Sequence, residues 1–446
     1  MSDPLHLKSI VSPTEQTKTP ASTPPNPKPT PTSGFDSDGW HAELWILNPW
    51  AEPFLKDGLQ IATEEFNQTC LLASRARWLA GNAVWNGWAQ GMLALKSKLE
   101  AAQLWYVSAL GEGANDETKA WLAAAEAVFS TLTLERGNDG YIDFEGFIFP
   151  SNAWFVESSF TGETRFQNAR FHGDAHFSRT RFIGKSSFEQ VFFNGHARFR
   201  EAKFTGNSRF TQCAFCGDAE FDRATFTGGT DFNHSKFGGL TNFNGSNFIG
   251  DATYEEVEFT GDASFSETRF AGTAWFPRCS FIGNTIFTSS VMIGDAWFSD
   301  TNFIGNVLFD DTKFPCNSRF ENARFCGLSS FKNAEFSDST QFSSANFVGE
   351  TELAADSLPE SAEINSITIT GPLRKEREEI ELQELFPSLT RNAETSLDGT
   401  EFQSVPDFQG VKMDEQPSAA DMSVADPLQT QQDGVHEGKK DIDQPE

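Results

Sequence analysis

The chain has 446 residues, with 63 Asp and Glu against 34 Lys and Arg, and 45 Phe beside only 3 Tyr. A net charge of −29 argues against nucleic acid or an anionic membrane surface as partner of the whole molecule, because both are held by clustered Lys and Arg; a local basic patch is the exception to look for. Six scattered cysteines, none in a CxxC pair, are too few for a disulfide framework or a zinc site and point to a reducing, cytoplasmic setting.

Residues 1–38 contain no basic stretch leading into an apolar core and are not a secretory signal. Eight prolines among the first 34 residues, interleaved with Thr and Ser, favour a disordered, extended tether. From 39 to 135 the pattern is helical: Trp78, Trp85, Trp88, Met92, Leu95 and Leu99 lie 7, 3, 4, 3 and 4 apart and share one stripe. A second stripe, Trp121, Ala125, Val128 and Leu132, follows a Gly-rich break and an N-cap at Asn115 or Asp116, so a helical hairpin is expected. Residues 78–95 carry no charge, which raises membrane association as a weaker alternative, but Asn82, Asn86 and Gln90 would line one face. Gly87 and Gly91 would admit a close neighbour.

From Phe149 to Phe347 the phenylalanines fall 6, 5, 6, 5 apart without a slip, a period of 11 residues with two rings. In the series 166, 177, 188 to 342 the one exception is Tyr254; in the series 160, 171, 182 to 347 it is Met292. A small or β-branched residue stands two before each ring (Thr164, Ala169, Ala175, Thr180), and glycine stands two after every second ring (Gly162, Gly173, Gly184), missing only at Cys316 and Asp338. Such a glycine marks a corner needing either positive φ or close backbone approach.

Written as RFHGDAHFSRTRFIGKSSF, this stretch resembles the pentapeptide-repeat family in a Phe-rich variety with alternating six and five spacing. The resemblance implies a right-handed quadrilateral β-helix with the ring and the small residue pointing inward from each face. Most members keep a strict period of five; here each pair of faces gains a residue, so a coil takes about 22. The fold class is therefore mainly β, a solenoid over 144–370 with a C-terminal cap, preceded by an α-helical segment and flanked by disordered termini. Short faces cannot bury their rings alone, but coils stacked about 4.8 Å apart bury a continuous column, and residue j lies over j+22. Nine coils would make a rod on the order of 43 Å long. Leu353, Leu358, Ile364 and Ile369 keep the spacing with weaker residues and form the expected cap.

Inward positions are structural, so function has to lie in the outward ones. By the 22-residue rule Trp275 lies over Trp297, Ile282 over Ile304, Ile286 over Leu308, and Ile293 over Ala271 and Ile249. Those columns are polar elsewhere, which makes the run a candidate protein-contact patch. Residues 165–236 hold 11 basic and 7 acidic residues, whereas 251–311 hold 2 and 10, so the basic end is a site to consider for an anionic partner. Cys213 and Cys279 occupy inward small positions three coils apart, beyond disulfide reach. His172, His176, His196 and Asp174 cluster by register, and a surface ion pair fits them better than a metal site.

The segment 371–446, with 18 acidic and 7 basic residues, reads as a mostly disordered tail with a short helix at Arg374–Phe386 and an echo of the repeat at Phe402, Phe408 and Met413. No nucleophile with base and orienting acid, phosphate loop, HExxH or dinucleotide fingerprint occurs, so no catalytic, cofactor or metal site is expected. The leading expectation is a non-catalytic structural or interaction protein with an unidentified protein partner, homo-oligomer included. The alternative from the family is a DNA-mimicking regulator of a type II topoisomerase, but 23 acidic against 17 basic residues over 151–350 give only −6, and the first half breaks the acidic stripe a mimic needs. A membrane-associated scaffold is the third reading.

Overall fold

The computed structural model describes residues 39–56, 61, 63–107, 113–135, 140–352, 367–370 and 373–374. The chain divides into two units, Met1–Ser404 and Val405–Glu446, and all described residues belong to the first. The tether at 1–38, Leu353, Leu358, Ile364, the body of the helix expected at Arg374–Phe386 and the repeat echo lie outside the described residues.

The helical segment comprises α1 (Gly39–Leu47), α2 (Glu52–Lys56), α3 (Glu64–Leu79), α4 (Asn82–Ala101) and α5 (Asp116–Ala125). Side-chain oxygens open two of them: Thr63 accepts from the Phe66 amide at 3.2 Å, and Asn115 from the Thr118 amide at 3.0 Å. The tryptophan stripe is divided between two helices. Gly81 has φ +93°, a conformation that ends α3 after Trp78 and starts α4 before Trp85. On α4 the expected Trp85, Trp88, Met92, Leu95 and Leu99 are all buried. Gly91 admits Leu47 of α1, while Gly87 faces open space. The second stripe also needs correction: α5 stops at Ala125, and Val128 lies in a strand. The reason is register, since Ala127–Phe129 reproduces the small-x-ring spacing, Leu132 and Leu134 keep it with leucines, and both stretches pair with the next coil.

The solenoid is built of two-residue parallel strands in four sheets of 12, 10, 9 and 11 strands. Its first face starts at Ala127–Val128, its second at Thr133–Leu134, its third at Ile142–Asp143 and its fourth at Ile148–Phe149. Register is 22 along the stack (Ala175↔Ala197, Arg181↔Lys203, Ser186↔Ser208) and 26 in the first coil (Ala127↔Ala153), which has four extra residues before the third face. Strand pairing thus runs from Ala127 to Arg374, beyond the expected 144–370 on both sides. Twelve stacked strands span roughly 50 Å at ~4.8 Å each. Rings one coil apart lie face to face, Phe177 over Phe199 at 4.8 Å and 3°, and rings on neighbouring faces meet edge-on, Phe166 against Phe177 at 5.5 Å and 89°. The interior leaves no room for a solvated hydroxyl, which explains Phe over Tyr. Tyr254, fully buried, has its hydroxyl without a partner, and burial raises its pKa well above the usual value.

The four corners are of two kinds. After the second and fourth faces stands the periodic glycine, and positive φ is not its purpose: a Cβ on Gly184 would lie 2.5 Å from the carbonyl of Gly162 in the preceding coil. After the first and third faces the chain turns through a residue with φ of 55–65°, every 11 positions from Gly146 to Ser344, and 17 of these are not glycine (Glu157, Asn168, Arg179, Gln190 and onward). Where Cys316 and Asp338 replace glycine the stack loosens. The second-face pairing there shrinks to Val291↔Lys313, and the third face continues past Ser318–Arg319 only through the bridge Arg319↔Gln341.

The helices close the first coil. Asn86 accepts from the Ile148 amide at 2.9 Å and donates to the Gly146 carbonyl at 2.9 Å; Asn82 donates to the Glu145 carbonyl at 2.6 Å. The indoles of Trp78 and Trp85 donate to the carbonyls of Asp143 (2.9 Å) and Ile148 (2.8 Å), and Ser74 accepts from the Val128 amide at 2.9 Å. Trp78 stacks on Phe144 at 5.4 Å and 13°, continuing a ring column into the cap. The uncharged polar face of α4 therefore satisfies strand-edge groups that would otherwise template association.

Candidate interaction surface

Outward side chains of one strand position form columns along each face. On the third face the column reads Trp275, Trp297, Arg319, on adjacent strands. The indoles stack at 4.7 Å and 27°, and the Arg319 guanidinium lies over Trp297 at 4.0 Å from the ring centroid. Both tryptophans are half-buried. Ile293 is half-buried on the second face and precedes Trp297 around one glycine corner; Ile249, in its column, is 47% exposed.

The remaining residues of the expected patch are elsewhere. Ile282 and Ile304 are exposed on the fourth face, with Val348 further along their column. Ile286 and Leu308, register partners on the first face, are buried at 8% and 0% exposure, against the expectation of a displayed surface. They form a small outer cluster with Leu328. Their column runs in a trough whose flanking row leans across it: Asp310 accepts from Ser330 and Asn244 from Ser264, both at 2.5 Å. The register rule itself leads to Arg319, 22 after Trp297, whereas Leu328 lies in a neighbouring column and only its packing reveals it.

Of the expected histidine cluster, Asp174, His176 and His196 meet in a network with Arg198 and Asp218, which His172 does not join. Asp174 accepts from Arg198 at 2.5 Å and from the His196 amide at 2.9 Å. Burial would raise the Asp174 carboxyl, but Arg198 outweighs it and holds the pKa low. His176, stacked on Trp154 at 3.8 Å, is pushed down to about 4 by burial and Arg198. His196 is raised by its hydrogen bond to Asp218. No group of three metal-ligating side chains occurs among the described residues.

All six cysteines are free. Cys213 and Cys279 are buried, and each thiol donates to the ring carbonyl one coil back, Phe188 at 2.8 Å and Tyr254 at 2.6 Å. Thr180, Thr301 and Thr312 make the same bond with hydroxyls, so these thiols do a Ser/Thr job, and burial pushes their pKa up. No helix among the described residues is long and apolar enough to cross a membrane.

Comparison with known proteins agrees with this architecture. Residues 144–191, 188–236, 221–269 and 265–313 match the family model for pentapeptide repeats (9 copies). No curated protein and no solved structure matches the chain. Matched across 144–313 and folded as a stack of 22-residue coils, the solenoid is built of pentapeptide repeats.

Proposed function

We propose that this is a non-catalytic interaction protein of the cytoplasm, whose solenoid presents outward columns to a protein partner, with the Trp275–Trp297–Arg319 stack at the centre of the contact. The observation that carries the reading is that stack. Trp and Arg are the residue types that dominate binding energy when a partner desolvates them, and a stack that is already ordered loses little side-chain entropy on binding. Six free thiols fit a reducing compartment.

Replacing both tryptophans with Ser tests it. The β-rich fold should persist, since outward positions contribute little to the ring core, while pull-down partners or self-association seen by light scattering should be lost. Unchanged assembly and unchanged partners would refute the assignment.

A further inference from the structure

On the second face, one coil carries outward Arg179, Arg181, Ile183 and Lys185, and the next carries Glu201, Lys203, Thr205 and Asn207. Arg181 and Lys203 are register partners on adjacent strands, about 4.8 Å apart. Both are exposed, as are Lys185 and Ile183, the latter at 49%. Eight of the 17 cations over 151–350 are paired with acids, among them Arg165 with Asp143, Arg179 with Glu157, Arg200 with Asp222, Arg209 with Glu189, Lys236 with Glu258 and Lys313 with Glu335. Arg181, Lys185 and Lys203 have no ion-pair partner among the described residues, and Arg223 extends the patch at the following corner. A chain of net charge −29 thus keeps Arg181 and Lys203 uncompensated beside an exposed Ile183 on the second face, with Lys185 just past the Gly184 corner.

We propose that this second-face patch is a separate docking site for a short acidic peptide segment of a partner protein. Charge complementarity selects an anion, and the size of the patch selects a short one. The positive area covers about two coils, roughly 10 Å along the rod. A nucleic-acid duplex, with a charge about every 1.7 Å, would run on to 251–311, where 10 acidic residues face 2 basic ones. A peptide of a few acids ends before that region, whose field is screened within about 8 Å at physiological salt. Ile183 gives such a segment an apolar contact beside Arg181.

The test is fluorescence anisotropy of the full chain with fluorescein-labelled octaglutamate, alongside a 20-base-pair DNA duplex, at low and physiological salt. Octaglutamate should bind and weaken with salt, and Arg181→Ser/Lys203→Ser should lose about tenfold or more in affinity with an unchanged unfolding midpoint. Arg269→Ser/Arg324→Ser, which removes exposed arginines elsewhere on the rod, should change affinity less than about twofold. Absence of octaglutamate binding, equal loss in both double variants, or tighter binding of the duplex would each overturn the proposal. The tryptophan surface on the third face is untouched by these substitutions, so its test stands apart.

Discussion

The glycine corners and the left-handed corners solve the same turn by different means. At a glycine corner the coil above sits so close that a Cβ has no space; Gly250, for example, would place one 2.6 Å from the Gly228 carbonyl. At a left-handed corner the side chain points clear of the stack, so Arg278 (φ 56°), Asp300 (φ 58°) and Asn322 (φ 58°) are all accepted there. Those residues meet a conformational cost of about 1–2 kcal/mol each. In return, they place ladders of polar side chains on the surface: Arg179 on Glu157 (2.9 Å), His234 and Arg278 on Glu256 (3.2 and 2.9 Å), Asn322 on Asp300 (3.0 Å). One corner fixes the coil spacing and departs from glycine only at Cys316 and Asp338, where the strand pairing shrinks. The other is the place where sequence varies, and with it charge.

That difference can be broken or sharpened by substitution, on a scale set by the interior. Phe232→Ala, at a fully buried ring stacked between Phe210 and Tyr254, should cost about 3–5 kcal/mol in denaturant unfolding. A loss below about 1 kcal/mol would mean that the column is not packed as described. Gly250→Ala should cost about 2–3 kcal/mol, as overpacking against rigid backbone does. If it is tolerated at below about 0.5 kcal/mol, coil spacing is not set at this corner. Ser289→Gly, at φ 58°, should go the other way and stabilise by about 0.5–1 kcal/mol, read as a higher unfolding midpoint; destabilisation would show that the left-handed corner is not strained.

The parts of the molecule legible in the sequence are those repeated coil after coil. Phe spacing carried the 22-residue register, and register alone put Trp275 over Trp297 and Cys213 in the core. What was misjudged depends on neighbours that are distant along the chain or nonperiodic. Ile286 and Leu308 read as displayed because their column is outward, but the trough between two side-chain rows buries them. Trp78 and Trp85 read as one helix because spacing does not reveal that Gly81 adopts φ +93°.

By itself the sequence determined the solenoid, because an 11-residue pattern of ring, small residue and glycine has one way to bury every ring at once. Only the tertiary structure decided what the glycines are for and what closes the end. Close approach depends on the distance between coils, which no single coil contains. The cap depends on Asn82 and Asn86 meeting strand-edge groups some 60 residues later, at Glu145, Gly146 and Ile148; the spacing by four puts the two amides on one helix face but does not say which groups they meet.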